Sequence, residues 1–143
     1  MHFSSNRVLD DGTREREFAL DAVPGVLWTP PTASASTPVP LVLLGHPGGL
    51  RAMQPRLAAR ALHLAALGYA SAALELPGAG DRPGLAEVDR ARADLHRAIG
   101  AGHRPAEDVV DRLVLPLVEQ AVPEWQALLD AVLRLPEVRG PGA

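Results

Sequence analysis

The sequence has no cysteine, which excludes disulfides, thiolate-held metals and a cysteine nucleophile. It has no lysine either, so all 14 basic residues are arginine; with 14 prolines and 13 glycines, this is the usage of a GC-rich bacterial coding sequence. An excess of positive charge is also missing. The formal net charge of -3 offers no attraction to nucleic acid or to an anionic membrane. Residues 1–20 contain no apolar stretch of signal-peptide length and carry Asp10, Asp11, Glu15 and Glu17, and no segment approaches a membrane span. The expectation is a soluble cytoplasmic protein. What is present is a globular balance, 47% hydrophobic and 22% charged over 143 residues, which suits one modest domain or part of one.

Arg14 to Leu20 alternates charges and then turns apolar, as an edge-type strand does, and Val23 to Thr29 reads as a second strand stopped by Pro30-Pro31. Leu41 to Leu44 is a continuous apolar run, the mark of a strand buried on both faces of a parallel sheet. It ends in Gly45-His46-Pro47-Gly48-Gly49, and a helix is predicted from about Pro55 to Leu67, closed by Gly68. Tyr69 to Leu76 is a second buried strand, ending in Pro77-Gly78-Ala79-Gly80-Asp81-Arg82-Pro83. This strand–loop–helix–strand order is a βαβ unit, so the fold class is α/β and chemistry belongs at the C-terminal ends of the strands. From Leu85 the chain reads as helical, with a break at Gly100–Gly102, a kink or end expected at Pro116 and a last helix from Pro123 to Leu135. The tail 136–143, with two prolines and two glycines, is not expected to form a strand. The division expected within one incomplete domain is strands with the loop at 1–83, a helical segment at 84–135 and the tail at 136–143.

The loop after the first buried strand carries the chemistry. Gly48 and Gly49 leave N–H groups free to point at an anion, which is what an oxyanion hole needs. Pro47 cannot donate, and His46 is expected to help shape the loop. The bland alternative is a tight turn into a helix, and a lone Gly-Gly pair favours that alternative. Glu75, charged at the end of a core strand, needs a partner; Arg82 or another loop group is expected to supply it, in a structural role.

Taken together, Val26 to Pro30, Leu41 to Gly49 and Leu67-Gly68-Tyr69 to Arg82 resemble the opening of α/β-hydrolases of the dienelactone-hydrolase and esterase type. In that family a His-Gly-Gly-like motif forms the oxyanion loop, and the next strand ends in a Pro-Gly-x-Gly-like turn, matched by Pro77 to Gly80. The helix with Trp125 and its Leu135-Pro136-Glu137-Val138 end is similar to the one leading into the nucleophile strand. The resemblance implies about four strands of a hydrolase sheet, serine-type hydrolysis of a small-molecule ester or lactone, and no cofactor. Pro47 departs from the family's frequent Gly, and Ala79 from its frequent His.

The nucleophile elbow, Gly-x-Ser-x-Gly, does not occur. Serines stand only at 4, 5, 34, 36 and 71, and the family's acid and histidine follow its serine in chain order. The resemblance therefore implies the N-terminal part of the domain, ending before its nucleophile strand, without catalytic residues and inactive alone. Such a chain would expose the edge beside Leu41 to Leu44, a place for self-association or pairing with another chain. A different reading is a non-catalytic α/β binding or assembly module. His63, His96 and His103 lack ligand spacing, so no metal site is expected. Asp108, Asp111 and Arg90 to Arg97 are expected to form solvated helix faces.

Overall fold

Phe18, Leu27, Ala72 and Leu74 pack into one core, while Val26, Trp28 and Ala73, their neighbours along the same strands, pack into another. That alternation is the two-residue period of strands sandwiched between helices. The computed structural model describes residues 1–142; Ala143, the last residue of the predicted tail, lies outside them.

The elements are β1 (His2–Phe3), β2 (Arg7–Val8), β3 (Arg14–Leu20), β4 (Val23–Thr29), β5 (Val39–Leu43), α1 (Leu50–Ala66), β6 (Ala70–Leu74), α2 (Ala86–Gly100), α3 (Val109–Val132) and β7 (Val138–Arg139). The sheet runs β1-β3-β4-β6-β5-β7, with β2 also paired to β3. Four of these strands are long. β4 meets β6 antiparallel, Gly25 opposite Leu74, whereas β5, β6 and β7 run parallel. The βαβ unit is thus β5-α1-β6, and its loops open at the C-terminal ends of β5 and β6.

The β3–β4 hairpin turns on Asp21 and Ala22, both at positive φ (49° and 67°). Two-residue hairpin loops of this kind match the twist of the flanking strands, and they favour Asn-Gly over the Asp-Ala found here. Glu15 is buried in β3, where its carboxylate accepts from Trp28 Nε1 at 2.7 Å and from Arg7 Nη2 at 2.6 Å.

The structure differs from the expectation in three places, two of them in helices. α1 begins at Leu50, five residues before Pro55, where the Leu50 N–H finds a partner described below. Its buried face, Leu50, Leu57, Ala61 and Ala65, packs on the Val26–Trp28–Ala73 side. Each fully buried leucine there contributes about 2 kcal/mol. α3 runs unbroken through Pro116 and Pro123 for 24 residues. A proline costs an interior helix its bond to the carbonyl four residues back; here those carbonyls belong to Arg112, which is half-buried, and Glu119, which is exposed to water. The tail also departs from the reading above: Val138–Arg139 forms β7, parallel to β5 through Val39↔Val138 and Pro40↔Arg139. Val138 is buried in the same core as Leu128 and Val132, and that burial draws the tail into the sheet despite the glycines and proline after it.

Candidate active site

Gly49 is the last residue before α1, in extended conformation, and Gly48 before it lies in the left-handed region at φ +75°. That conformation is open to glycine with little penalty. Neither Gly48 nor Gly49 donates its amide N–H to any partner among the described residues. Both amides therefore sit unengaged at the positive end of a 17-residue helix.

The loop carrying them is held from below by two buried side chains. His46 Nε2 lies 2.9 Å from the carbonyl oxygen of Leu74. A carbonyl only accepts, so Nε2 carries the proton and donates across to β6. The other ring nitrogen, Nδ1, is buried without a partner among the described residues. Glu75 Oε1 accepts the Leu50 N–H at 2.9 Å, and this carboxylate takes the place of a side-chain cap, which α1 otherwise lacks. Negative charge at a helix N-terminus is favourable.

Arg82 does not pair with the Glu75 carboxylate, as the sequence suggested; it donates from Nη1 to the Glu75 backbone carbonyl at 3.0 Å. Its charge goes to Glu124 of α3, in a two-pronged pair at 2.8 and 2.5 Å. Burial raises the pKa of Glu124, but the hydrogen bonds from Arg82 and Gln120 and the Arg82 charge outweigh it and hold the carboxyl below its ordinary value. Gly80 closes the assembly. At φ +57° it passes so near Glu75 that a Cβ there would lie 2.5 Å from Oε2. Gly80 also borders Gly49, whose own Cβ position would stand 3.7 Å from the Gly80 nitrogen.

The structure therefore brings together His46, Gly48, Gly49 and Glu75. Sequence reasoning missed Glu124 and the position of Gly80. No local pattern marks Glu124 as the partner of a residue 42 positions earlier; for Gly80 the available signal was its place in a Pro-Gly-x-Gly turn, since glycine permits close backbone approach. Beside the loop, Asp21, Arg51, Glu75 and Asp81 line a cleft of about 440 Å³, which Gly48 and Gly49 do not line.

None of the five serines lies on a strand-to-helix turn. Ser71 is fully buried inside β6, with its hydroxyl unpartnered among the described residues. Ser34 and Ser36 are tied into a surface turn, with Ser34 Oγ 3.0 Å from Ser36 Oγ and 2.7 Å from Thr37 Oγ1. His63, His96 and His103 are exposed on or beside helices. Among the described residues no group of three or more acidic or histidine side chains could hold a metal ion, and no helix is long and apolar enough to cross a membrane. Acids and arginines of α2 and α3 pair on the surface, with Arg112 bridging Asp94 and the more distant Asp108. The hydrogen bond from Arg112, opposed in part by burial and reinforced by the Arg112 and Arg97 charges, lowers the Asp94 pKa.

No family model matches the chain, and no curated protein is detectably similar to it. Solved structures are. The PEG-bound structure of a cold-adapted esterase from an Arctic intertidal metagenomic library is 25% identical, with a TM-score of 0.60 over 93% of this chain and 50% of that one. A zinc-bound structure of a cold-adapted esterase from the same source is 20% identical, with a TM-score of 0.51 over 93% of this chain and 48% of the other. The chain spans about half the length of the solved structures it matches, and it has a partial α/β-hydrolase fold.

Proposed function

We infer that Gly48 and Gly49 form the oxyanion-stabilising half of a serine-type ester or lactone hydrolase site, and that the 143-residue chain alone is inactive. The observation carrying this reading is the pair of unengaged amides at the N-terminus of α1, on a loop braced by His46 and Glu75. Preorganised donors of this kind stabilise charge developing on a carbonyl oxygen without having to reorient during the reaction. The 25% identity to the cold-adapted esterase supports the reaction class. The dienelactone-type resemblance of the loop supports small esters or lactones as the substrates.

Inactivity follows from the residues present. None of the five serines stands on a strand-to-helix turn, and an oxyanion loop without nucleophile and base retains at best a small residual effect. The purified chain is expected to show no turnover of p-nitrophenyl acetate and no labelling by a fluorophosphonate probe. Labelling of any serine, or turnover lost on substituting one, would overturn the inactivity claim.

A second reading has one specific observation in its favour. Beyond Val39 and Pro40, the side of β5 away from β6 has no strand partner among the described residues. A non-catalytic module that pairs with another chain along this edge accounts for that feature, as does a hydrolase half awaiting its neighbouring strand. Size-exclusion chromatography with light scattering separates the two: a dilution-independent complex of defined stoichiometry favours the module.

A further inference from the structure

Two clefts meet at Glu75. One, of about 440 Å³, is lined by Asp21, Val23, Pro24 and Asp81, and Gly80 forms part of its side. The other, of about 270 Å³, shares Pro24, Arg51, Glu75 and Asp81 with it and reaches Leu50. Leu50 directly follows Gly49, and the position of a Cβ on Gly49 stands 3.7 Å from the Gly80 nitrogen. The clefts therefore begin at the loop that carries the unengaged amides.

Glu75 is only 6% exposed, yet it lines both clefts. Its Oε1 takes the Leu50 N–H, whereas Oε2 accepts no hydrogen bond among the described residues. Among those residues no arginine pairs with this carboxylate either. Arg82 is held by Glu124 through both Nη atoms and by the Glu75 backbone carbonyl through Nη1. Arg51 lines both clefts but enters no ion pair among the described residues, and neither do Asp21 and Asp81. The N-terminus of α1 offers about half an elementary positive charge, and it is met through Oε1 alone. A nearly buried carboxylate with one free oxygen is costly until a cation meets it.

A metal ion does not suit the clefts, because among the described residues no group of three or more acidic or histidine side chains could hold one. An alkylammonium suits them better. It carries three N–H donors for oxygens that stand apart, and its stem needs an apolar surface, which Val23 and Pro24 supply. With Arg82 committed to Glu124, the carboxylates of Asp21, Glu75 and Asp81 face the guanidinium of Arg51 alone, so the larger cleft is negative.

We propose that the cleft beside Glu75 is a subsite for a primary ammonium group and, resting on the ester-site reading above, that the ester it serves carries such a group. Glu75 would then have two tasks: Oε1 fixes the start of α1, and Oε2 accepts a charge-assisted hydrogen bond from the ligand.

Backbone amide NMR of the 143-residue chain tests this with propylammonium and with two esters of matched size, methyl 6-aminohexanoate and methyl heptanoate. Propylammonium is expected to shift the amides of Ala22, Gly80 and Asp81. Methyl 6-aminohexanoate is expected to shift these together with Gly48 and Gly49, and to bind roughly tenfold more tightly than methyl heptanoate, the worth of a hydrogen bond to a charged group. Glu75→Gln keeps an acceptor for Leu50 and removes the charge, and should weaken propylammonium binding by a similar factor. Arg51→Gln, at an exposed position, should instead strengthen it about threefold, the scale of an exposed charge interaction; this variant keeps the test independent of how well Glu75→Gln folds. Cleft amides unmoved by propylammonium, equal affinity for the two esters, or weaker propylammonium binding in Arg51→Gln overturn the subsite. So does propanoate shifting the same amides in a way that Arg51→Gln abolishes, which would assign the cleft to an anion. Gly48 and Gly49 unmoved by methyl 6-aminohexanoate while Asp81 still responds would instead sink the ester-site reading and leave the ammonium subsite standing.

Discussion

Glu75, at the end of β6, accepts the N–H of Leu50, the first residue of α1, at 2.9 Å and out of contact with solvent. The bond joins the C-terminal end of one parallel strand to the loop leaving the next, and it fixes where α1 begins. Because Leu50 directly follows Gly49, the same bond orients the two amides before it. Glu75→Ala would leave a buried N–H unpaired, a loss of about 1–3 kcal/mol. Glu75→Gln keeps an oxygen acceptor and should cost less. Urea denaturation of the two variants reads the difference; equal stabilities would show that the bond does not hold the loop.

Gly80 makes that carboxylate position possible. Gly80→Ala places a Cβ 2.5 Å from Glu75 Oε2 on a backbone at φ +57°. Gly78→Ala has a similar strain at φ +73°, but its Cβ meets nothing nearer than Leu117 at 3.9 Å. Left-handed backbone alone costs a non-glycine residue about 1–2 kcal/mol. Gly80→Ala should therefore destabilise by more than Gly78→Ala and should also shift the Leu50 amide resonance, whereas Gly78→Ala should leave that resonance in place.

Stability should fall in acid through two ion pairs, Arg82–Glu124 and Arg16–Glu137. For Glu137 as for Glu124, burial raises the pKa, and the hydrogen bond and charge of its arginine more than offset this, so both carboxyls lie below the ordinary 4.5. A depressed carboxyl contributes stability that is complete above its unfolded pKa and is lost as pH falls through the folded value. Thermal melts should hold steady from neutrality to about pH 5 and then decline, given an unfolded glutamate pKa of about 4.3. Glu124→Gln should lower stability at pH 7 by about 2 kcal/mol, the worth of hydrogen bonds to a charged group, and make the acid decline shallower. An acid profile unchanged by Glu124→Gln would remove this pair as a source of the decline.

Gly25 tests the packing of the two cores. A Cβ there would lie 2.2 Å from Phe18 Cζ and 2.9 Å from the Ala73 carbonyl oxygen. The phenyl ring can turn, but the β6 backbone cannot withdraw without losing its pairing to β4. Gly25→Ala should cost about 3 kcal/mol, at the upper end for overpacking, as a lower urea midpoint. Gly45→Ala, where nothing lies within 4 Å of the new methyl, serves as the control and should change stability little.

The βαβ order was legible because the run at 41–44 is wholly apolar, that at 69–76 is broken only by Ser71 and Glu75, and Gly-rich turns follow both. The loop with free amides before α1 was legible from the paired glycines. Three features were not, each because a distant contact overrode a local signal. Pro55 looked like a helix start, but the Glu75 carboxylate, 25 positions from Leu50, begins the helix five residues earlier. Pro116 looked like a kink or end and Pro123 like a new helix start, but α2 on one side and the sheet on the other hold α3 together. Two glycines and two prolines argued against a strand in the tail, yet burial of Val138 and the Arg16–Glu137 pair at 2.7 Å bring it alongside β5.

β7 also bears on how far the edge of β5 is protected. The Val39 N–H bonds the Glu137 carbonyl on the β7 side, and the Leu44 N–H bonds Ala72 on the β6 side. Along a strand successive amides point in opposite directions, so Leu41 and Leu43 face the β7 side and Val42 faces β6. β7 ends at Arg139, opposite Pro40, which leaves the Leu43 amide beyond its reach. In hydrogen exchange, Leu43 should lose its proton about a hundredfold faster than Val42, since an amide without a strand partner exchanges through local opening. Adding a chain that pairs with this edge should abolish the contrast by protecting Leu43. Equal, slow exchange at Leu43 and Val42 in dilute protein would mean that the edge is already covered, and strand pairing with another chain would lose its structural basis.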